Sequence, residues 1–562
     1  MKKRYAVNAL LLAALPLLAA GETADTIFLG EHIITMEPDL RDMEPTAVAV
    51  KGEQIIWTGF RGEHTDLIGE QTEVIELGER ALLPGFIDAH GHFSFSAAVV
   101  DLANVASPPV GPVKDMDSLR TTLLKYIDDK SIEDGEWVVG FGYDDSLLAE
   151  GRHPTRADLD KVSTTHPIAL THVSGHLATM NTAALEALGM NAETPDPPGG
   201  HIRREADGYP NGVLEETAIR VIQARMFTPT DPLGSLQRVQ EVYAQEGITT
   251  VQDGYAAPGV IQSLRAADEA GVLKLDLHVY AGADPANPQT LDTHPWGQYQ
   301  GRVKVAGIKM SLDGSPQGKT AYLTQPYHVP PDGQGPEYRG YPTLQQAVAH
   351  RLIAGFMSAG IPIIVHANGD AAGDMLISGV RAALAADEGI EDHRTVMIHA
   401  QTARHDQVQA MAELGMIPSY FSAHTFFWGD WHRDSVLGPV RGANISPARW
   451  TIEAGGKFTV HNDAPVVPPN MVRLLWATTN RKTRSDQTLG PAQRVSTYAA
   501  LRAMTADAAF QAFEEDVKGS IRVGKQADLV LLSGNPLLTP RARLLDLEVE
   551  QTYSRGTLVF GR

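Results

Sequence analysis

The chain runs to 562 residues, 43% hydrophobic and 20% charged, enough to bury several cores and to form two or more domains. A formal net charge of −21 opposes nucleic acid or an anionic membrane surface as partner, because that field repels phosphate. The absence of cysteine excludes disulfides, thiolate metal sites and a cysteine nucleophile, so a transition-metal site must be built from histidine and carboxylate.

The N-terminus reads as an export signal. Lys2, Lys3 and Arg4 precede an apolar run over 9–20, which closes on the small residues Ala19, Ala20 and Gly21. At about a dozen residues the run is too short to cross a bilayer as a helix. We therefore expect a signal peptide over 1–21 and a periplasmic or secreted protein, free of the membrane after cleavage. An uncleaved anchor is the alternative.

Short strands separated by Gly-rich turns follow at 26–29, 32–36, 47–51, 54–58 and 73–76. A matching set stands at the far end, at 527–532, 549–554 and 557–560. Each set alone is small for a β domain, so one sandwich built from 22–83 and 517–562 is the economical reading. The catalytic body, 84–516, is then inserted between its halves.

Within that body strand and helix signals alternate. Strands are predicted at 86–92, 167–173, 247–253, 302–310, 361–366, 395–399, 416–420 and 457–463, with the clearest helices at 344–359, 371–386 and 406–414. Eight such units predict an α/β fold, a (β/α)₈ TIM-type barrel with functional residues at the C-terminal ends of its strands. The stretch 102–245, with its Pro/Gly-rich 195–200, is longer than two units need. It is expected to be an insertion over the active-site face.

The body opens on Leu82-Leu83-Pro84-Gly85-Phe86-Ile87-Asp88-Ala89-His90-Gly91-His92. On a strand, alternation would point His90 and His92 the same way, about 6–7 Å apart, a spacing that can chelate one ion. Predicted strand four carries Lys309 near its end, strand five ends on His366, strand six on His399 and strand eight on Asp463. One such residue could be a solvated strand end; the whole set points to a shared metal site. Its donors suit a divalent ion, zinc first, which lowers the pKa of a bound water to about 7 and polarises a carbonyl. Asp463 is the best placed carboxylate to take the proton from that water. Lys309 is the puzzle, since an ammonium beside a metal is repelled; it either lies outside the coordination shell, forms a salt bridge, or loses its charge.

These residues resemble the amidohydrolase superfamily, most closely the YtcJ-like amidohydrolases, a group that includes N-substituted formamide deformylases. The likeness extends over Gly142-Tyr143-Asp144, Pro154-Thr155-Arg156, Ser174-Gly175-His176 with Asn181, and Gly247-Ile248-Thr249-Thr250-Val251. It continues through Asp313-Gly314, Gly369-Asp370, His399-Ala400-Gln401, Asp463-Ala464-Pro465 and Ala527-Asp528. The resemblance implies one or two divalent metal ions, with His90 and His92 on the more buried one and His366 and His399 on the second. Lys309, as its carbamate, would bridge them, which removes the charge objection, and Asp463 would be ligand and general base. His176 matches a position on the substrate side, or else is a buried hydrogen-bonded histidine; with Tyr143 and His461 it makes up the expected substrate contacts. His461-Asn462 departs from the small pair usual before the strand-eight aspartate, and by alternation His461 shares a face with Asp463. The aromatic-rich stretch 421–431 either lines an apolar pocket or packs against the lid.

The expected activity is hydrolysis of a carbon–nitrogen bond other than a peptide bond, in an N-acyl or N-formyl amine with an apolar substituent. The expected partner is a small molecule, and a homo-oligomer is compatible with this reading. A lactone, ester or cyclic-imide hydrolase would use the same chemistry. A periplasmic solute-binding protein is the rival of another class, and it predicts two similar lobes without a metal.

Overall fold

The computed structural model describes residues 23–38, 44–198, 200–222, 231–283, 296–331 and 333–562. The expected signal peptide lies outside the described residues. Among them no helix is long and apolar enough to cross a membrane.

The centre of the molecule is a run of eight parallel strands whose spatial order is their chain order. They are Phe86–Ile87, Ile248–Ala256, Asp276–Gly282, Val303–Ser311, Ile363–Ala367, Val396–His399, Ile417–Tyr420 and Thr459–Val460. Apolar runs such as Ile363-Ile364-Val365 are buried on both faces, as parallel strands under helices must be. Tyr299–Gln300 adds a short antiparallel pairing to Val303–Lys304. The two ends of the sheet meet through backbone bonds: Asp463 N–H donates to His90 O at 3.1 Å, and His92 N–H to Ala464 O at 2.8 Å. Functional strand ends from opposite edges are thereby brought together.

Crossover helices cover the sheet. Asp370–Ala386 buries Ala372, Met375, Leu376, Val380 and Ala383, the three-and-four spacing of an amphipathic helix. Gln346–Ser358 does the same with Ala349, Leu352, Ile353 and Phe356. Both fall within two residues of the ranges their periodicity predicts, and His405–Glu413 within one.

One strand assignment changes. The segment read as the second strand of the central sheet, 167–173, is Ile168–His172 of a separate six-stranded sheet. That sheet is ordered Gly200–Arg204, Pro210–Glu216, Leu177–Met180, Ile168–His172, Val138–Tyr143, Ala103–Asn104, and it fills the expected insertion. The central position belongs instead to Asp276–Gly282, a strand with polar Asp276 and His278 in its first half. Both side chains are buried because distant partners satisfy them: Lys518 Nζ lies 2.6 Å from Asp276, and Glu514 lies 2.9 Å from His278.

The chain ends form two four-stranded sheets. One is Gln54–Gly59, Ala47–Lys51, Thr26–Leu29 and Glu73–Glu76; the other is Thr557–Gly561, Val549–Ser554, Leu529–Leu532 and Ala81–Pro84. Ala81–Pro84 thus leaves the N-terminal set to pair antiparallel with Leu529–Leu532, Leu82 facing Leu531. Phe28, Val48 and Leu82 share one core cluster with Leu529, Leu531 and Tyr553. The expected strand at 32–36 contributes only an isolated bridge from Ile33 to Leu82. These unlike sheets do not form the two similar lobes that the solute-binding alternative requires.

Candidate metal centre

The first central strand stops at Ile87, so alternation is not what aligns His90 and His92. His90 follows in a bend, and His92 is the N-cap of the helix Phe93–Val99. Their rings nonetheless meet edge to face at 5.0 Å. Gly254 makes room for this: a Cβ there would lie 2.3 Å from His90 Cε1.

All six side chains expected at the centre converge. Lys309 Nζ is 2.8 Å from His90 Nε2. Asp463 Oδ1 is 3.3 Å from His92 Nε2 and 3.7 Å from His90 Nε2, and Asp463 Oδ2 is 4.0 Å from His399 Nε2. His399 Nε2 faces His366 Nδ1 at 3.2 Å. One donor atom each from His90, His399 and Asp463 lie within 4.8 Å of one another. His399 and Asp463 also take left-handed backbone conformations, φ of 71° and 56°. Strain of about 1–3 kcal/mol at such a residue is characteristic of functional positions, where it aims a side chain.

The electrostatics favour a cation. Burial pushes the pKa of His90 and His399 well below the usual imidazole value and that of His366 to about 3, so all three rings are neutral electron-pair donors. Burial likewise brings Lys309 down to about 7, with the Asp463 charge opposing it. Burial alone would raise the pKa of Asp463, but His92, His461 and Lys309 beside it carry the carboxyl below its ordinary value. Asp463 Oδ1 is buried without a hydrogen bond. An ionised, unsatisfied oxygen among neutral imidazoles is costly by itself and is the donor set that suits zinc.

Neighbours missing from the sequence reading fix which nitrogen of each histidine faces inward. Gln252 Nε2 donates to Ala89 O at 2.8 Å, so Gln252 Oε1 accepts from His90 Nδ1 at 2.5 Å and His90 Nε2 carries the lone pair. His366 Nε2 donates to Gly314 O at 3.1 Å, which turns Nδ1 inward. Behind His399, His461 Nε2 accepts from Nδ1 at 3.1 Å and His461 Nδ1 donates to Ser419 Oγ at 2.8 Å. Gln252 directly follows the Gly247–Val251 motif, and its polarity inside an apolar run was the signal available.

The expected substrate contacts separate. His176 stands at the mouth, about one-third exposed, with Nδ1 3.0 Å from Glu216 Oε2. Burial works against its charge, but Glu216, Asp463 and Asp313 raise its pKa overall. Tyr143 is fully buried in the insertion, its hydroxyl 3.2 Å from His153 Nδ1. His461 is also fully buried and touches His399, so its geometry is that of a positioning residue. His461→Ala is expected to weaken zinc binding by about 10–100-fold. Titration of the metal-free protein with zinc checks this; unchanged affinity would leave His461 as core packing. In a second group, Asp144, Asp145 and His172, an Asp145 oxygen lies 3.1 Å from His172 Nε2, and Asp144 accepts from Trp428 Nε1 at 2.8 Å.

Comparison with known proteins agrees with this picture. A family model described as "Amidohydrolase family" matches residues 73–560. An N-substituted formamide deformylase of Arthrobacter pascens is 26% identical over 558 residues, 96% of this chain and 98% of that protein. YtcJ of Bacillus subtilis, provisionally described as an amidohydrolase, is 26% identical over 95% of this chain and 99% of its own length. An uncharacterized metal-dependent hydrolase from Pyrococcus horikoshii superposes with a TM-score of 0.72 at 20% identity, covering 92% of this chain and 99% of that one.

Proposed function

The chain belongs to the amidohydrolase family, and we propose that it hydrolyses carbon–nitrogen bonds other than peptide bonds, in N-acyl or N-formyl amines carrying an apolar group. The observation that carries this reading is the convergence of His90, His92, Lys309, His366, His399 and Asp463 at the C-terminal ends of parallel strands. The printed activity of the Arthrobacter relative, matched over nearly its full length, supports an amide as the class of substrate. We read the central sheet as a closed (β/α)₈ barrel, and the two end sheets as one sandwich built from 22–83 and 517–562.

In this reading His90 and His92 would hold one ion, and His366 and His399 a second, with zinc favoured by the nitrogen-rich donor set. Lys309 would serve as a ligand to both after its neutral amine adds to CO₂, an N–C bond forming and one proton leaving to solvent. Bound there, the ions supply Lewis acidity that polarises a carbonyl and acidifies water. Asp463, held ionised by its neighbours, accepts the water's proton and delivers it to the departing nitrogen. His176, whose charged form Glu216 favours at the mouth, orients the substrate's carbonyl side. The basic N-terminus and the apolar run after it support export to the periplasm or beyond.

The test is a substrate panel on the zinc-loaded protein, with metal content measured in parallel. N-formyl and N-acyl amines are expected to turn over faster than lactones, esters or cyclic imides, with activity lost to a chelator and restored by zinc. Turnover of esters or lactones alone would overturn the amide assignment.

A further inference from the structure

A cavity of about 300 Å³ lies between the insertion sheet and the exit of the last central strand. Its wall begins where two of the proposed ligands end. Ala464 and Pro465 line it directly after Asp463, and Ser96 lines it one helical turn beyond His92, to whose carbonyl Ser96 N–H donates at 2.8 Å. The facing surface is mostly apolar, with Val99 and Val100 at the end of the helix after His92, Phe141 and Val173 from the insertion, and Phe427 and Trp428 from the aromatic loop, while Asn104, Ser107, Asp144 and Arg484 add polar groups. The indole N–H of Trp428 is committed to Asp144 Oδ2, and Tyr243 OH lies 3.4 Å from Ser96 Oγ. Two large aromatic side chains on this wall therefore have their polar ends engaged with the protein.

Largely apolar walls beside a polar reacting centre are how a site recognises the non-reacting part of a small molecule. We propose that this cavity receives the apolar group attached to the scissile amide, and that the enzyme selects aryl or medium-length alkyl amides over small ones. This assignment rests on the amide reading above. At roughly 30 Å³ per water-sized unit, the space takes on the order of ten non-hydrogen atoms. Each methylene that enters is worth about fourfold in kcat/KM until the space is filled, after which the gain stops.

The test uses the zinc-loaded full chain and two substrate series. One is N-alkylformamides from methyl to decyl, with benzyl included; the other is N-methylamides of lengthening acyl chains. kcat/KM is expected to climb in one series and then level, and the series that climbs tells whether the group on nitrogen or on the carbonyl enters. Val100→Phe, which fills the cavity, is expected to lower the longest-to-shortest ratio at least tenfold. Phe427→Ala, which enlarges it, is expected to move the optimum to longer groups. A flat dependence in both series, or a ratio that neither variant moves, overturns the cavity assignment while the amide reading stands. Failure to hydrolyse any member overturns both.

Discussion

Asp463→Asn is expected to fold, to bind metal more weakly, and to lose about 10²–10⁴-fold in kcat, the range for a missing general acid–base group. The reasoning is local. Asparagine has nearly the same shape, and the backbone bond from residue 463 to His90 O does not depend on the side chain. What changes is charge: the wild-type carboxyl is held below its ordinary pKa, so it is an ionised acceptor throughout the neutral range, whereas an amide cannot take a proton from water. The amide would also turn a donor toward His92 or His90, 3.3 and 3.7 Å from Oδ1, or toward the cation itself. Circular dichroism and metal content separate a folding failure from a chemical one. A variant within threefold of the wild type would remove Asp463 from the mechanism.

Lys309→Ala should lower both activity and the tightly bound metal, by on the order of a hundredfold or more, since even outer ligand contacts are worth about 10–100-fold. A short carboxylic acid added to the variant is expected to restore part of the activity by standing in for the missing carbamate. Burial gives this claim a pH signature. The amine's pKa of about 7 means that its reactive, neutral form grows as pH rises through 7 and dwindles below it. Reloading metal-stripped wild type with zinc in bicarbonate should therefore be faster at pH 8 than at pH 6. That difference should vanish in Lys309→Ala. Unchanged metal stoichiometry in the variant would point to a single-ion site without a bridge.

Much of the centre was legible because its residues announce themselves at the ends of apolar runs. His366, His399 and Asp463 each terminate a stretch too hydrophobic for a loop, and the His-x-His pair follows a strand with a Pro-Gly break. The route was less legible than the destination: His90 and His92 converge through a bend, which no alternation rule describes. Asp276–Gly282 went unseen because its polar residues look wrong for an interior strand, and the partners that satisfy them, Lys518 and Glu514, lie more than two hundred positions away. The converse error at 167–173 has the same root: Ile168-Ala169-Leu170 is buried in either sheet, and burial alone does not say which one. Gln252 and Ser419 act through histidines they touch only in three dimensions.

The pairing of Leu82 with Leu531 carries a consequence for how the molecule comes into being. Ala81–Pro84 leads straight into the segment that bears His90 and His92, yet its neighbour in the sheet, Leu529–Leu532, is synthesised more than four hundred residues later. Until then Phe28, Val48 and Leu82 lack the apolar partners Leu529, Leu531 and Tyr553, so the ribosome-bound chain cannot finish its first structural unit. The sheet that precedes the His90–His92 segment thus waits on polypeptide made more than four hundred residues downstream, a long window in which its apolar face stays uncovered.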